Sequence, residues 1–200
     1  MAMRARILAL MVPLLALGAC VAPTGPVEVT RFHLPDTAML RGTVAVEAAP
    51  GMDAGSLELR TFESAVGREL QRIGYREAAA GGGTQVAEVR LERRTYKPDR
   101  NRSPVSVGLG GSTGSYGSGV GVGLGFDLSG APPAMTETRL GVIIRDRASR
   151  SAVWEGRASF TVRADSPLAA TPLGAAQMAS ALFKDFPGNS GETVLVKPAP

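Results

Sequence analysis

The residue types that most often carry chemistry are scarce in this chain of 200 residues. Cys20 is the only cysteine and His33 is the only histidine. A paired-histidine metal site such as His-Glu-x-x-His therefore lacks a ligand, and a cysteine-containing zinc site would have to use Cys20. A Ser-His-Asp triad would have to use His33, which lies in a predicted strand with no Gly-x-Ser-x-Gly turn of the strand-to-helix type nearby. We expect a structural role for His33, no metal site and no catalytic residues.

The glycine-rich motifs that hold phosphate groups are incomplete. Gly108 and Gly110 have the spacing that opens a dinucleotide fingerprint, but Thr113 stands where the third glycine is required. The chain has no Gly-Lys-Ser/Thr phosphate loop. We therefore expect no cofactor. Paired carboxylates remain open as a source of chemistry, because two acids that are distant in the sequence can meet in a fold.

The single thiol lies in a context that is typical of lipid attachment. A start with two arginines leads into an apolar run at residues 7–17, and the small residues Gly18 and Ala19 come directly before Cys20. This order resembles the signal of bacterial lipoproteins, which is cut just before a cysteine that then carries the acyl chains. We expect cleavage between Ala19 and Cys20, removal of residues 1–19 as a signal peptide, and lipidation of Cys20.

Removal of this signal changes what the composition implies. Arg4 and Arg6 are lost with it, so the formal charge falls from +4 to +2. We expect no binding to nucleic acid, which usually requires a concentrated basic face. The apolar run is shorter than the roughly twenty residues that span a bilayer, and no second long apolar segment follows. The acyl chains on Cys20 are thus the expected membrane attachment. A tether at residues 20–26, with a reach of about 20 Å, would hold one domain at residues 27–200 close to the membrane.

Hydrophobic periodicity predicts an α+β domain. Alternating apolar residues predict strands at residues 27–33, 43–47, 86–96, 135–146, 152–162 and 192–196. Apolar residues at three- and four-residue steps predict a helix at residues 56–73, and Thr171 as an N-cap before Pro172 predicts another at residues 172–184. Each helix has one apolar stripe and the strands one apolar face. We therefore expect a single antiparallel sheet with both helices on one face and Trp154 in the core.

Residues 104–133 are rich in glycine, serine and apolar residues. Val105, Val107 and Leu109 form one alternating arm and residues 120–128 form another, with residues 111–118 expected to turn between them. A hairpin is one interpretation and a disordered loop is the other. A set of alternate glycines would leave a bare backbone face: Gly119, Gly121, Gly123 and Gly125. An envelope protein partner could approach such a face closely, whereas a surface insertion without a role is the alternative.

The strand predicted at residues 86–96 ends in a basic stretch. Its members are Arg93, Arg94, Lys97, Arg100 and Arg102. Contact with anionic lipid headgroups and an ordinary solvated face are both compatible with this pattern.

Three segments, taken together, resemble a known family of bacterial lipoproteins. They are SLELRTFESAVGRELQRIGY at residues 56–75, GVIIRDRASRSAVWEGRA at residues 141–158 and LFKDFPGNSGETV at residues 182–194. Their order and spacing are similar to those of the domain of unknown function 4136 family (DUF4136), over most of the chain. The resemblance implies a compact α+β domain and an envelope lipoprotein, with no established catalytic residues. By resemblance to lipoprotein sorting patterns, Val21 after Cys20 favours the outer membrane, with the domain on the periplasmic side.

These observations leave three classes of function. We expect a non-catalytic structural or interaction module, anchored to the membrane through Cys20. A binder of lipid or of another apolar envelope ligand is the first alternative, and it predicts a deep apolar pocket. A carboxylate-based cell-wall hydrolase is the second, and it predicts two acids that converge within about 5–10 Å.

Overall fold

The computed structural model describes residues 25–35, 41–98, 105–114, 117–126 and 132–197, and of residues 105–114 and 117–126 it describes the backbone. The expected signal peptide, Ala19, Cys20 and most of the tether lie outside the described residues, as do Arg100 and Arg102.

Nine strands and two helices are described, and most of the predicted elements agree with them within one or two residues at each end. The strands are β1 (Val27–His33), β2 (Thr43–Ala48), β3 (Arg76–Glu77), β4 (Gln85–Tyr96), β5 (Val105–Gly114), β6 (Gly117–Phe126), β7 (Met135–Asp146), β8 (Ala152–Arg163) and β9 (Thr193–Val196). Helix α1 (Leu57–Arg72) lies between β2 and β3 in the chain, and α2 (Thr171–Phe183) lies between β8 and β9.

Seven of these strands form one mixed sheet in the order β3-β2-β4-β7-β8-β1-β9. β2 pairs in parallel with both β3 and β4, whereas the other neighbouring strands are antiparallel. The prediction of a wholly antiparallel sheet is therefore wrong. α1 carries the chain back to the end of the sheet at which β2 began, so that β4 runs in the same direction as β2. The α+β class and the pair of helices agree with the prediction.

Helix α1 has a capped start and a glycine just after its end. The Ser56 hydroxyl accepts a hydrogen bond from the Leu59 N–H at 3.3 Å, which satisfies one of the backbone donors of the first turn. The predicted apolar stripe forms the buried side of the helix: Leu59, Phe62, Val66 and Leu70. Gly74 has a φ of 102°, a conformation that side chains rarely adopt, and it turns the chain toward β3.

Helix α2 begins differently from the prediction. Ala170 is its N-cap and makes no side-chain hydrogen bond, whereas Thr171 is already the first helical residue. The Thr171 hydroxyl donates to Glu58 at 3.1 Å and accepts from Arg93 at 3.0 Å. The predicted N-cap role of Thr171 is wrong because side chains from α1 and β4 engage its hydroxyl. Arg93, predicted as part of a basic stretch, thus links the starts of the two helices.

Both helices pack on one face of the mixed sheet, which we call the packed face. Alternate strand residues are buried there: Val27, Val29, Ala87, Val89, Leu140, Val142, Ile144, Trp154, Ala158 and Phe160. Trp154 lies in this core, as predicted, and stacks on Phe183 of α2 with 5.2 Å between the ring centroids. Its indole N–H donates to the Pro187 carbonyl at 3.1 Å. Burial of one large apolar side chain of this kind contributes about 1.5–3 kcal/mol, so this layer holds the fold together.

A buried arginine joins the C-terminus of α2 to β1. Arg31 is 6% exposed, and its guanidinium donates to the carbonyls of Leu182 and Ala181, each at 2.9 Å. The last carbonyls of a helix lack intrahelical partners and form the negative end of the helix dipole. Arg31 therefore satisfies these acceptors and fixes the end of the helix to the sheet.

β5 and β6 pair with each other in a separate two-stranded antiparallel sheet. The pairs extend from Val105 opposite Phe126 to Gly114 opposite Gly117. The two residues that connect the strands lie outside the described residues, and the strands include most of residues 111–118, which were expected to form the turn.

Candidate functional site

The face of the mixed sheet opposite the helices is lined by charged residues, and we call it the open face. Glu88, Arg90 and Glu92 of β4 lie on this face, as do Glu155 and Arg157 of β8. Successive side chains of a strand point to opposite faces of the sheet. The alternation that buries apolar residues against the helices therefore lines the open face with charge.

A groove of about 640 Å³ lies on the open face. Its charged lining consists of equal numbers of acids and arginines: Glu28, Glu88, Glu92, Glu155, Arg90, Arg139, Arg145 and Arg157. Gly141 lies among them, paired with Arg90 on one side and with Arg157 on the other. A Cβ at Gly141 would lie 3.7 Å from Arg90 Cβ, an ordinary contact. Glycine thus widens the groove here, although packing does not require it.

Arginines hold two of the acids that line the groove. Arg145 Nε lies 3.0 Å from Glu88 Oε2, and Arg157 Nη2 lies 2.5 Å from Glu155 Oε1. Both pairs are partly exposed to solvent, so each contributes on the order of 0–1 kcal/mol to stability. Their main effect is to fix where positive and negative charge lie along the groove.

Glu137 lies beyond the groove on the open face, between two arginines. Its carboxylate accepts from Arg94 Nε at 2.6 Å and pairs with Arg139 Nη2 at 2.6 Å. The hydrogen bond from Arg94, assisted by Arg139, holds the pKa of Glu137 below its ordinary value. Only 11% of the side chain is exposed. Glu137 is therefore an ionised anchor for two cations and is poorly suited to donate a proton.

Glu88 and Glu155 form the arrangement in the groove that comes nearest to a hydrolytic pair. They occupy one row of the open face, with Ile143 of β7 between them, so that their backbones are about 9.5 Å apart. From such positions two glutamate side chains can bring their carboxyl groups into the range of about 6.5–9.5 Å that a water-activating pair requires. Each of the two acids, however, forms an ion pair with an arginine. Burial raises the pKa of Glu63, as a general acid requires, but Glu63 lies on α1, across the sheet from the groove.

The groove is a mixed surface rather than a deep apolar pocket. Its charged side chains surround apolar groups such as Pro50 and Ile143, and it is partly open to solvent. On the other side of the sheet, large side chains fill the space beneath the helices, and among them Phe62, Trp154, Met178 and Phe183 are each at most 1% exposed. A deep site for an acyl chain would need apolar walls around unfilled space. Among the described residues, the apolar layer beneath the helices is filled, and the groove on the other face combines apolar and charged lining.

The site residues predicted from the sequence fall in separate places. Ala19 and Cys20 lie outside the described residues. The four glycines at positions 119, 121, 123 and 125 lie in β6, where the register pairs them with four residues of β5: Ser112, Gly110, Gly108 and Ser106. One face of the β5–β6 hairpin therefore carries only glycine and serine from residue 106 to residue 125.

His33 connects β1 to the segment after α2. Its Nδ1 lies 2.8 Å from the Leu34 carbonyl oxygen, and its Nε2 lies 3.1 Å from that of Gly188. Within the described ranges, no group of three or more His, Cys, Asp or Glu residues is arranged to hold a metal ion. In the same part of the chain, no helix is both long and apolar enough to cross a membrane.

Sequence reasoning missed the groove and the role of Arg31. The charged positions of β4 and β8 were visible as alternation, but the sequence did not show that these strands flank β7 or that both described helices pack on the other face. Arg31 occupies an inward position of β1, and only the approach of α2 explains why a cation is buried there.

Comparison with known proteins gives one family match and one curated relative. The family model described as "Domain of unknown function (DUF4136)" matches residues 41–188. The uncharacterised protein ZMO1243 of Zymomonas mobilis subsp. mobilis is 28% identical over an alignment length of 223 residues. The match covers 87% of this chain and 81% of that protein.

Two solved structures show the range of structural likeness. A PDZ domain protein from Parabacteroides distasonis has a TM-score of 0.51 and 14% identity, and the match covers 86% of this chain and 39% of that one. A variant of the PelC dodecamer from Paraburkholderia phytofirmans has a TM-score of 0.46 and 13% identity, and the match covers 78% of this chain and 94% of that one. The first is a likeness of fold alone. The family match extends from before β2 to beyond α2, and the chain therefore belongs to the DUF4136 family.

Proposed function

We propose that this protein is a lipid-anchored lipoprotein of the cell envelope and acts as a non-catalytic interaction module on the periplasmic side. The open face is the observation that carries the interaction role, because a groove across four of its strands bears an ordered set of charges. The sequence around Cys20 supports the anchor, and Val21 supports the outer membrane as its location.

The partner of the open face is a folded envelope protein whose surface carries both signs of charge. The groove contains as many glutamates as arginines, so it offers no net attraction to a polyanion or a polycation. Ion pairs fix several of these charges in place before a partner arrives. Charges arranged in this way favour a partner with the complementary order and disfavour others.

The chemistry of the groove supports a role without catalysis. Arginine pairs with both members of its best-spaced acid pair, Glu88 and Glu155. The chain has one histidine and one cysteine, and the cysteine is the proposed site of acylation. Binding is thus the activity for which the side chains of the groove are suited.

The glycine and serine face of the β5–β6 hairpin is a second contact for an envelope protein in this proposal. A backbone without side chains can be approached closely by another chain. Replacing residues 108–125 with a short Asn-Gly turn should keep the domain folded and anchored but remove one crosslinked partner in living cells. If every partner and the oligomeric state persist, this face has no such role.

The anchor is tested by labelling cells with a fatty-acid analogue. The wild-type chain should incorporate the label and fractionate with membranes, whereas Cys20→Ser should lose both properties. Val21→Asp is the matched variant for sorting, and it should keep the label but move the protein to the inner membrane. Complete membrane association of Cys20→Ser would contradict the anchor.

The absence of catalysis is tested with purified peptidoglycan. The wild-type protein, Glu88→Gln and Glu155→Gln should all leave the substrate intact over long incubation, beside an active lysozyme control. Turnover by the wild-type protein that disappears in both variants would establish the hydrolase instead.

A further inference from the structure

The β5–β6 hairpin has two chemically different faces. The register pairs Val105 with Phe126, Val107 with Leu124, and Leu109 with Val122. Cross-strand partners lie on the same face of a strand pair, so these apolar residues share one face. The intervening pairs contain only glycine and serine. Each strand has ten residues and extends about 33 Å, and the apolar residues occupy roughly 20 Å of this face at the Val105–Phe126 end, before the pair of Thr113 and Ser118.

The hairpin leaves the mixed sheet at the end where the tether enters it. β4 ends at Tyr96, which pairs with Met135 at the start of β7, and Met135 pairs in turn with Arg163 at the end of β8. Gly25, just before β1, lies beside the Thr161 carbonyl oxygen, which is 3.8 Å from the position of a Gly25 Cβ. We call this end of the sheet the anchor end.

The tether brings the anchor end close to the membrane if Cys20 is acylated. Five residues lead from Cys20 to Gly25, a span of at most about 18 Å. The hairpin strands are longer than this span, and both connect to the domain at the same end. The hairpin is therefore within reach of the bilayer that holds the acyl chains.

The anchor end also carries residues suited to a membrane surface. Tyr96 is 39% exposed, and the Arg94 guanidinium carbon lies 5.3 Å from the centre of its ring. Lys97 follows and is exposed. Tyrosine is enriched where membrane meets water, and nearby cations attract anionic headgroups.

We propose that the apolar face of the β5–β6 hairpin lies on the lipid of the membrane that holds Cys20, as a second contact beside the acyl chains. A two-stranded hairpin alone buries too little apolar surface to be stable in water, and burial of this face at the lipid interface supplies what is missing. The glycine and serine face then remains open toward the periplasm. This inference rests on the proposed lipidation of Cys20 for the direction in which the domain faces.

The test uses the chain from residue 20 onward, which carries Cys20→Ser and is therefore not acylated. One cysteine at a time is introduced into this chain and labelled with an environment-sensitive fluorophore. Vesicles of phosphatidylethanolamine and phosphatidylglycerol are added. Fluorescence should rise at least about twofold for Val120→Cys, Val122→Cys and Leu124→Cys, because these positions would enter an apolar medium. It should stay unchanged for Gly121→Cys and Gly123→Cys on the opposite face.

A matched pair of variants tests the same face without a probe. Val107→Thr combined with Val122→Thr keeps the branched shape of the side chains and should lower vesicle partitioning about tenfold or more. Ser106→Thr combined with Ser112→Thr places the same residue type on the opposite face and should leave partitioning within about twofold. Both variants should keep the wild-type thermal transition, because the mixed sheet and its helices are untouched.

A rise at no position, or at every position, would overturn the inference. Fluorescence that is already high at positions 120, 122 and 124 before vesicles are added would also overturn it. The apolar face would then be covered either by the rest of the domain or by a second copy of the chain. Sedimentation distinguishes these two cases, because only the second copy changes the oligomeric state. The probe chain carries no acyl group, so this result is independent of acylation. Fatty-acid labelling of wild-type cells fails only if the proposed anchor is wrong.

Discussion

The packed face and the open face are built by the same strands, yet they make opposite demands on their residues. Gly156 lies on the packed face, where a Cβ would collide with the Trp154 ring and lie 2.8 Å from Leu182 Cδ1. Gly141 lies on the open face of the neighbouring strand, where a Cβ would make an ordinary contact. On one face glycine admits an aromatic ring, and on the other it leaves room for something outside the chain.

A charge placed within the packed layer should have the largest effect on this contrast. Leu70 of α1 is wholly buried, so Leu70→Asp would put an unpaired carboxylate among apolar side chains. We expect the loss of the cooperative thermal transition, measured by circular dichroism. Arg68→Asp, at an exposed position of the same helix, is the matched control and should melt within a few degrees of the wild-type protein. A normal transition for Leu70→Asp would show that α1 packs elsewhere.

The two glycines offer the sharpest single comparison. Gly156→Ala should lower the free energy of unfolding by about 2–3 kcal/mol, because the indole ring and Leu182 must both move. Gly141→Ala should leave the free energy of unfolding unchanged or raise it by up to about 1 kcal/mol, since alanine is favoured over glycine within a strand. Urea denaturation of both variants measures the difference. Equal losses at both sites would mean that the open face is packed after all.

Acid should weaken the open face in a way that depends on Glu137. Because its pKa is lowered in the folded state, ionised Glu137 stabilises the fold above its unfolded pKa of about 4.3, and this contribution disappears as the pH falls through the folded value. Glu137→Gln should therefore be less stable than the wild-type protein at neutral pH and approach it in stability at low pH. The double variant Arg94→Met, Arg139→Met should remove most of this pH dependence. A constant difference from pH 7 to pH 2 would contradict the role of the arginines.

Breaking one ion pair in the groove should have the smallest effect on stability. Arg145→Met removes the partner of Glu88 and should cost no more than about 1 kcal/mol, because the pair is partly exposed. Half a molar salt should reduce the difference further. A loss of several kcal/mol would place the pair in the core rather than on a binding surface.

The sequence revealed the parts of this fold that local patterns encode. β7 has its predicted bounds because Leu140, Val142 and Ile144 recur at every second position and therefore share one face. The apolar stripe of α1 was likewise predicted. The direction of β2 beside β4 was not, because α1 determines it over many residues. The hydroxyl of Thr171 was misassigned because its partners, Glu58 and Arg93, are distant in the sequence.

The candidate site was less predictable than the fold. Alternating charges in β4 and β8 are compatible with any solvated face, and a groove arises only when these strands flank Gly141. The local signal at Cys20 predicts chemistry without any tertiary structure. A surface that depends on strand order could not be found before that order was known.

The central claim is that the open face receives a folded protein partner, and site-specific photocrosslinking in living cells tests it most directly. A photoreactive amino acid replaces Ser159, which lines the groove, or Arg68, which is exposed on α1. The account predicts a discrete adduct of constant size from position 159 and none from position 68. An adduct from position 68 alone, or the same diffuse adducts from both, would contradict it.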